Sequence, residues 1–153
     1  MRKVIILIPV YNDWESFKKL FFEIDETIND LKDISFNCIV VNDASSIIQP
    51  KISKPANIKS LKILNMYKNK GHARCNAFGI RYVIKNEDFD NLILMDGDGE
   101  DRPIEIKSLV EKIASDPNKS VVARRVKRSE GPFFQLLYKL HKIITFLFTG
   151  KNI

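Results

Sequence analysis

Hydrophobic and polar positions divide the chain into alternating strand-like and helix-like segments. Lys3 to Val10 is a nearly continuous β-branched and apolar run ending at Pro9-Val10-Tyr11-Asn12, the pattern of a strand buried on both faces and followed by a turn. From Trp14 to Leu31 the apolar positions Phe17, Leu20, Phe21, Ile24, Ile28 and Leu31 recur at helical spacing with charges between them, which predicts an amphipathic helix. Phe36 to Val41 reads as a second buried strand, closed by Asn42-Asp43-Ala44-Ser45-Ser46, a polar cluster suited to a loop or a helix cap. Residues 47–58, with Pro50 and Pro55, read as an irregular connection to a third strand at Leu61 to Leu64. Asn69-Lys70-Gly71 opens a helix over about His72 to Lys85. Asn91 to Met95 is a fourth strand running into Asp96-Gly97-Asp98-Gly99-Glu100-Asp101. Pro103 suits the first turn of a helix reaching about Ser115, and Ser120 to Ala123 is expected to be a fifth strand.

Strands alternating with helices predict an α/β fold, an open, mostly parallel sheet with flanking helices, because parallel strands need crossover connections. In such sheets ligands bind at the carboxyl ends of the strands. The loops after strands one, two and four all carry Asp or Asn, so three segments are expected to converge on one polar crevice. The 153 residues suffice for one core, with no internal repeat. An α/β domain over residues 1–124 is expected to continue, within the same domain, into a basic loop and amphipathic helix over 125–153.

Charge sharpens that division. Residues 1–118 carry 17 Lys and Arg against 18 Asp and Glu, whereas residues 119–153 carry 8 against one acid, Glu130. The basic tail is interleaved with Phe133, Phe134, Tyr138, Phe146 and Phe148, a mixture suited to phosphate or anionic lipid. A helix over 133–148 is too apolar for an ordinary surface helix; it lies in a membrane interface or packs on further protein. No apolar run reaches ~18 residues, so no spanning helix is expected, and no leader peptide is indicated. Cys38 and Cys75 lack metal or redox spacing and read as reduced buried thiols, which suits a cytoplasmic location. Nucleic-acid binding is disfavoured, because the rest of the chain is near neutral and carries no such motif.

Two carboxylates one residue apart at a strand end, Asp96 and Asp98, can share a hard cation, and Gly97 between them lets a ligand approach the backbone. Alone, such a pair is more often a solvated acidic turn; its position after a buried strand favours a site in which a divalent cation bridges the carboxylates to a diphosphate. Asp43 is a helix cap or a contact to a base or ribose hydroxyl, and Tyr11 and Asn12 are a base platform or an ordinary loop. Arg125 and Arg128 could hold phosphate, or lie in a solvated charged loop. His72 and His141 have no metal-ligand partners at suitable spacing and are given no catalytic role. Dinucleotide-binding and P-loop glycine patterns are missing from the sequence, as are serine and thiol hydrolase patterns.

Ile8-Pro9-Val10-Tyr11-Asn12, Val41-Asn42-Asp43-Ala44-Ser45, Asn69-Lys70-Gly71 with Ala73 and Gly79, and Met95 through Pro103 resemble, in order and spacing, glycosyltransferase family 2. The branch most resembled is that of the polyprenyl-phosphate (dolichol- and undecaprenyl-phosphate) glycosyltransferases, whose arginine motif Arg125 and Arg128 match. The resemblance implies a GT-A, Rossmann-like nucleotide-diphospho-sugar transferase fold. It implies that Pro9, Tyr11 and Asp13 line the base pocket, that Asp43 contacts the nucleoside, and that Asp96, Gly97 and Asp98 surround the ribose and a diphosphate bound to Mg²⁺ or Mn²⁺. Asp98 and Asp96 would be the metal ligands, Arg125 and Arg128 would face donor or acceptor phosphate, and the 133–148 helix would present a polyprenyl-phosphate acceptor at the membrane surface.

The chain departs from the family pattern at Asn42 (commonly Asp), Ala44 (commonly Gly), Gly97 (commonly Ala) and Ala123 (commonly Gly), and Ser46-Ile47-Ile48 lacks the usual second acid. It stops at Thr149-Gly150-Lys151-Asn152-Ile153, before the segment implied to supply catalytic and acceptor residues, so no catalytic residue is assigned and the fold is expected to be C-terminally incomplete. The expected function is that of a donor-binding domain: metal-dependent binding of a UDP- or GDP-linked sugar and its transfer to a polyprenyl phosphate, peripheral to the cytoplasmic face of a membrane, with homo-oligomerisation left open. The alternative is a truncated homologue acting as a non-catalytic nucleotide- or membrane-binding module.

Overall fold

A computed structural model describes residues 1–116, 119–123 and 132–150. Four strands form one all-parallel sheet: β1 (Arg2–Val10), β2 (Ile34–Asn42), β3 (Ile58–Asn65) and β4 (Asn91–Leu94), in the order β3-β2-β1-β4. The connecting helices are α1 (Trp14–Ile28), between β1 and β2, and α2 (His72–Asn86), between β3 and β4; α3 (Glu105–Ser115) follows β4. The chain divides into two compact units, Met1–Val121 and Val122–Ile153, the second containing helix α4 (Pro132–Thr149).

The alternation along β1 sets the layers, because successive side chains on a strand point to opposite faces. Val4, Ile6, Ile8 and Val10 join Phe17, Leu20, Phe21 and Ile24 of α1 and Ile106 and Val110 of α3 in one buried cluster. Ile5 and Leu7 face the other way and join Ile39 and Val41 of β2 with Cys75 and Val83 of α2. With both faces covered, the middle of β1 is an unbroken apolar run, as the hydrophobic pattern predicts. On the α2 side the helix comes so close that a Cβ on Gly79 would lie 2.7 Å from Leu7 Cδ1 and 2.8 Å from Val41 Cγ2. Only a glycine fits between these two fully buried side chains.

Element boundaries differ from the pattern in instructive ways. Helix α1 ends at Ile28 rather than Leu31: Leu31 N–H donates to Ile28 O, Ile34 N–H donates to Leu31 O, and Leu31 packs against the core from this turn rather than from a helix. The irregular 47–57 connection is fastened by Asp25 of α1, whose carboxylate accepts N–H groups from Asn57 (2.7 Å) and Ile58 (3.1 Å), placing the start of β3. Pro103 lies in a turn just ahead of α3, where Ile106 N–H donates to Pro103 O. The expected fifth strand at Ser120 to Ala123 is a correction, for these residues form no strand. Val122 is 85% exposed, and two adjacent valines have β-propensity but no strand without a buried face and a paired edge. The helix expected over 133–148 is observed as α4, and Arg125 and Arg128 lie outside the described residues.

Because Leu7 and Val41 leave no room for a Cβ at Gly79, Gly79→Val should lower the stability of the chain by about 1–3 kcal/mol in chemical denaturation. Wild-type stability in that variant would show that α2 moves off the sheet freely.

Candidate functional site at the carboxyl edge of the sheet

In this strand order the chain runs outward from β1 to β3, then returns to place β4 on the other side of β1. The reversal lies between β1 and β4, and a crevice outside the carboxyl ends of strands at such a switch is where open α/β sheets bind ligands. The loops reaching this edge hold one another through specific bonds.

Asn12, directly after β1, has a left-handed φ of 62°. Its N–H donates to Ser45 Oγ (2.9 Å), and its side-chain carbonyl accepts from Ser46 N (2.8 Å) and Ile47 N (3.0 Å). The loop after β1 is thereby clamped to the loop after β2, leaving Tyr11 51% exposed beside it. Asp13 caps α1, accepting from Ser16 N at 3.3 Å. Pro9, half-buried, contributes its carbonyl to the wall facing Gly97.

Asp43 is 3% exposed, and its carboxylate turns toward the protein. Oδ1 accepts the N–H of Lys70 and Oδ2 that of Gly71, both at 2.8 Å. This seats the loop before α2 and brings His72, the first residue of that helix, to the same edge of the sheet. His72 Nε2 stands 3.5 Å from Asp96 Oδ1, after β4. Sequence reasoning left His72 without a role; its position straight after Asn69-Lys70-Gly71, where a helix starts at a strand's carboxyl end, was the available signal.

The acidic loop folds on itself. Asp101 Oδ2 accepts Asp96 N–H at 2.8 Å, and Asp98 Oδ1 accepts Glu100 N–H at 2.9 Å. Gly97 is buried, and a Cβ there would sit 2.8 Å from the carbonyl oxygen of Pro9. The glycine thus lets the loop close on β1 rather than opening its backbone to a ligand. Asp98 is exposed, Asp96 half-buried. Burial raises the Asp96 carboxyl above its ordinary value; His72 opposes the rise, and Asp101, Asp98 and Glu100 add to it. Below the edge, burial, reinforced by Asp43, pushes the Cys75 thiol up to about 12, so this free cysteine stays protonated and inert.

Among the described residues no three His, Cys, Asp or Glu side chains converge as a cation cage. Two adjacent carboxylates nevertheless have the hard oxygen chemistry that Mg²⁺ takes from a protein when phosphates and water complete its shell. Asp96 and Asp98 are the residues that would hold it.

Comparison with known proteins gives the class. The Glycosyl transferase family 2 pattern matches residues 5–152, and the chain belongs to that family. It is 30% identical over 142 residues to an uncharacterised glycosyltransferase of Synechocystis, covering 91% of this chain and 43% of the relative. It is 28% identical over 139 residues to the dolichol-phosphate mannosyltransferase of Pyrococcus furiosus, covering 88% and 38%. It is also 28% identical to the undecaprenyl-phosphate 4-deoxy-4-formamido-L-arabinose transferase of Proteus mirabilis, covering 99% and 46%. The chain therefore spans less than half the length of these relatives. The crystal structure of S. aureus TarS has the same fold, with a TM-score of 0.52 at 19% identity over 84% of this chain and 39% of that one.

The raised Asp96 carboxyl has a pH consequence. Between the ordinary carboxylate value near 3.8 and the raised one, the folded chain keeps a proton that the unfolded chain has released, so stability falls as pH rises through that window. Asp96→Asn should melt at a higher temperature than the wild type at neutral pH, the difference fading below about pH 4. A variant that is no more stable at neutral pH would show that the carboxylate is not held at a cost.

Proposed function

We propose that the chain binds the nucleoside diphosphate of an activated sugar at the carboxyl edge of its sheet and supplies the donor side of a glycosyl transfer reaction. The observation that carries this reading is the interlocking of the loops after β1, β2 and β4 at the switch point. Tyr11, with Pro9 and Asp13 beside it, offers a half-exposed aromatic ring to a base. Asp43 supports the nucleoside side of this edge by seating the loop before α2, and the Asp96-Gly97-Asp98 turn faces the ribose and diphosphate.

A divalent cation between these carboxylates and the diphosphate, Mg²⁺ or Mn²⁺, would neutralise charge that builds up as the nucleotide leaves. In the transfer, an acceptor oxygen forms a bond to the anomeric carbon as the bond from that carbon to the diphosphate oxygen breaks, and the nucleoside diphosphate departs. The names of the Pyrococcus and Proteus relatives support a polyprenyl phosphate as acceptor. Arg125 and Arg128 are the residues of this chain suited to face phosphate.

Helix α4 supports a membrane-facing role. Its Leu137, Leu140, Ile143, Ile144, Leu147 and Phe148 are exposed, and Lys142 lies over the Tyr138 ring at 5.3 Å. No helix among the described residues is long and apolar enough to cross a membrane. A helix of this composition is suited to lying in the interface, with its apolar side in the acyl boundary and Lys142 among anionic head groups.

Calorimetric titration of UDP and GDP, with and without Mg²⁺ or Mn²⁺, tests the donor site. One nucleotide should bind with metal, and Asp98→Ala should weaken it about tenfold or more. Binding that ignores both metal and Asp98 would favour a nucleotide-binding module without transfer chemistry. Flotation with phosphatidylglycerol-containing vesicles tests the helix: the whole chain should float, and the double variant Leu147→Glu, Phe148→Glu should lose at least about tenfold in affinity. Equal flotation of both proteins would remove α4 from the membrane.

A further inference from the structure

We propose that His72 is a donor-binding residue of this site, giving a hydrogen bond to the diphosphate of the nucleotide from beside the acidic turn. The inference rests on the donor-site reading above and adds to it a residue that the family motifs do not mark.

An exposed histidine at the start of a helix ordinarily has no reason to hold one orientation. This side chain is 59% exposed, yet its backbone and one ring nitrogen are both fixed. Its backbone follows Lys70 and Gly71, whose N–H groups are fixed by the buried carboxylate of Asp43. Its Nε2 accepts from Asn76 Nδ2 at 2.9 Å, one turn along α2, which places the proton of the neutral ring on Nδ1, and Asp96 Oδ1 lies 3.5 Å from the same Nε2. Its Nδ1 has no hydrogen-bond partner among the described residues. The imidazole is therefore held by Asn76 beside the acidic turn, with its Nδ1–H available.

Charge decides what that nitrogen would meet. Asp96, Asp98, Glu100 and Asp101 follow one another along a single turn, and an approaching diphosphate adds further negative charge. A cation can neutralise the shared side, but the flank of the diphosphate turned away from the carboxylates still needs donors. An N–H held beside Asp96 and directed away from it supplies one without reorganisation on binding, where preorganised donors are most effective. Ribose hydroxyls are the weaker match, since the carboxylates already present acceptors for them.

The test separates the phosphate contribution from that of the nucleoside. The affinities of UDP and GDP are measured by calorimetry with Mg²⁺, and those of uridine and guanosine by ligand-observed NMR, for wild type, His72→Ala and His72→Asn. With His72→Ala the diphosphate should bind about tenfold more weakly while the nucleoside binds as before, and His72→Asn, whose amide nitrogen falls near the position of Nδ1, should recover part of the loss. Unchanged diphosphate affinity, or equal weakening of nucleoside and diphosphate, overturns the assignment and leaves the donor site standing. Failure of the folded wild type to bind any nucleotide overturns the donor site itself, and His72 with it.

Discussion

Where β3 gives way to α2, the N–H groups of Lys70 and Gly71 belong to neither element, and Asp43 at the end of β2 accepts both of them. Backbone donors outside a helix or strand need other acceptors, and charge-assisted bonds of this kind are among the stronger ones available to a protein. The carboxyl edge depends on this tie. Asp43 N–H in turn donates to Val10 O, so one residue connects the end of β1, its own strand and the start of α2. Helix α2 then covers Ile5 and Leu7, and its first side chain meets the acidic turn after β4. A parallel sheet already sends every strand's exit to one edge; Asp43 converts four neighbouring exits into a connected rim.

That rim is held at a cost to stability. Ala44 has a φ of 56°, a conformation that costs an L residue about 1–2 kcal/mol, and Asn12 has a similar one. Asp96 is a carboxylate surrounded by others and partly removed from water. Trp14, at the start of α1, buries an indole N–H that has no acceptor among the described residues. These features lie at one end of the unit, whereas the core beneath is made of fully buried Phe17, Phe21, Phe36 and the β1 side chains. Concentrating strain and like charge where loops converge suits the proposed donor site, because groups that satisfied one another completely would have little to offer a ligand.

The core was legible in the sequence because burial imposes a period. Val4 to Val10 shows both faces of a covered strand, and the Phe17–Ile28 spacing shows one face of a helix. The meeting of these loops at one edge was legible too, since strand ends followed by Asp or Asn recur three times. What was not legible is how polar groups share the work. Nothing in the residues around Asp43 says that its oxygens go to backbone 27 and 28 residues along the chain, and nothing near His72 says that Asp96 is its neighbour. Such pairings depend on three-dimensional closure, for which a single sequence has no period. The fifth strand failed for a related reason: Val121-Val122 carries propensity, but propensity does not supply a paired edge.

The departures from the family pattern become intelligible through the same local accounting. Asn42 stands where an acid is common, and its amide does what a carboxylate could not: Oδ1 accepts Ser45 N–H at 2.9 Å while Nδ2 donates to Asn65 Oδ1 at 2.8 Å. The Ser45 N–H fixes which way the amide points, and the donor that remains is matched by an acceptor at the end of β3. An aspartate at 42 would face Asn65 Oδ1 with a second acceptor unless the Asn65 amide turned over. Asn42 and Asn65 therefore act as a pair, joining β2 to β3 just as Asn12 and Ser45 join the loops after β1 and β2. Gly97 follows the same logic, since in this chain the acidic turn approaches Pro9 O too closely for the methyl group of the commoner alanine. The rim tolerates unusual residues where each has a partner of matching hydrogen-bond sense or size, so the chemistry of the edge is set by the closed set of contacts rather than by any one motif position.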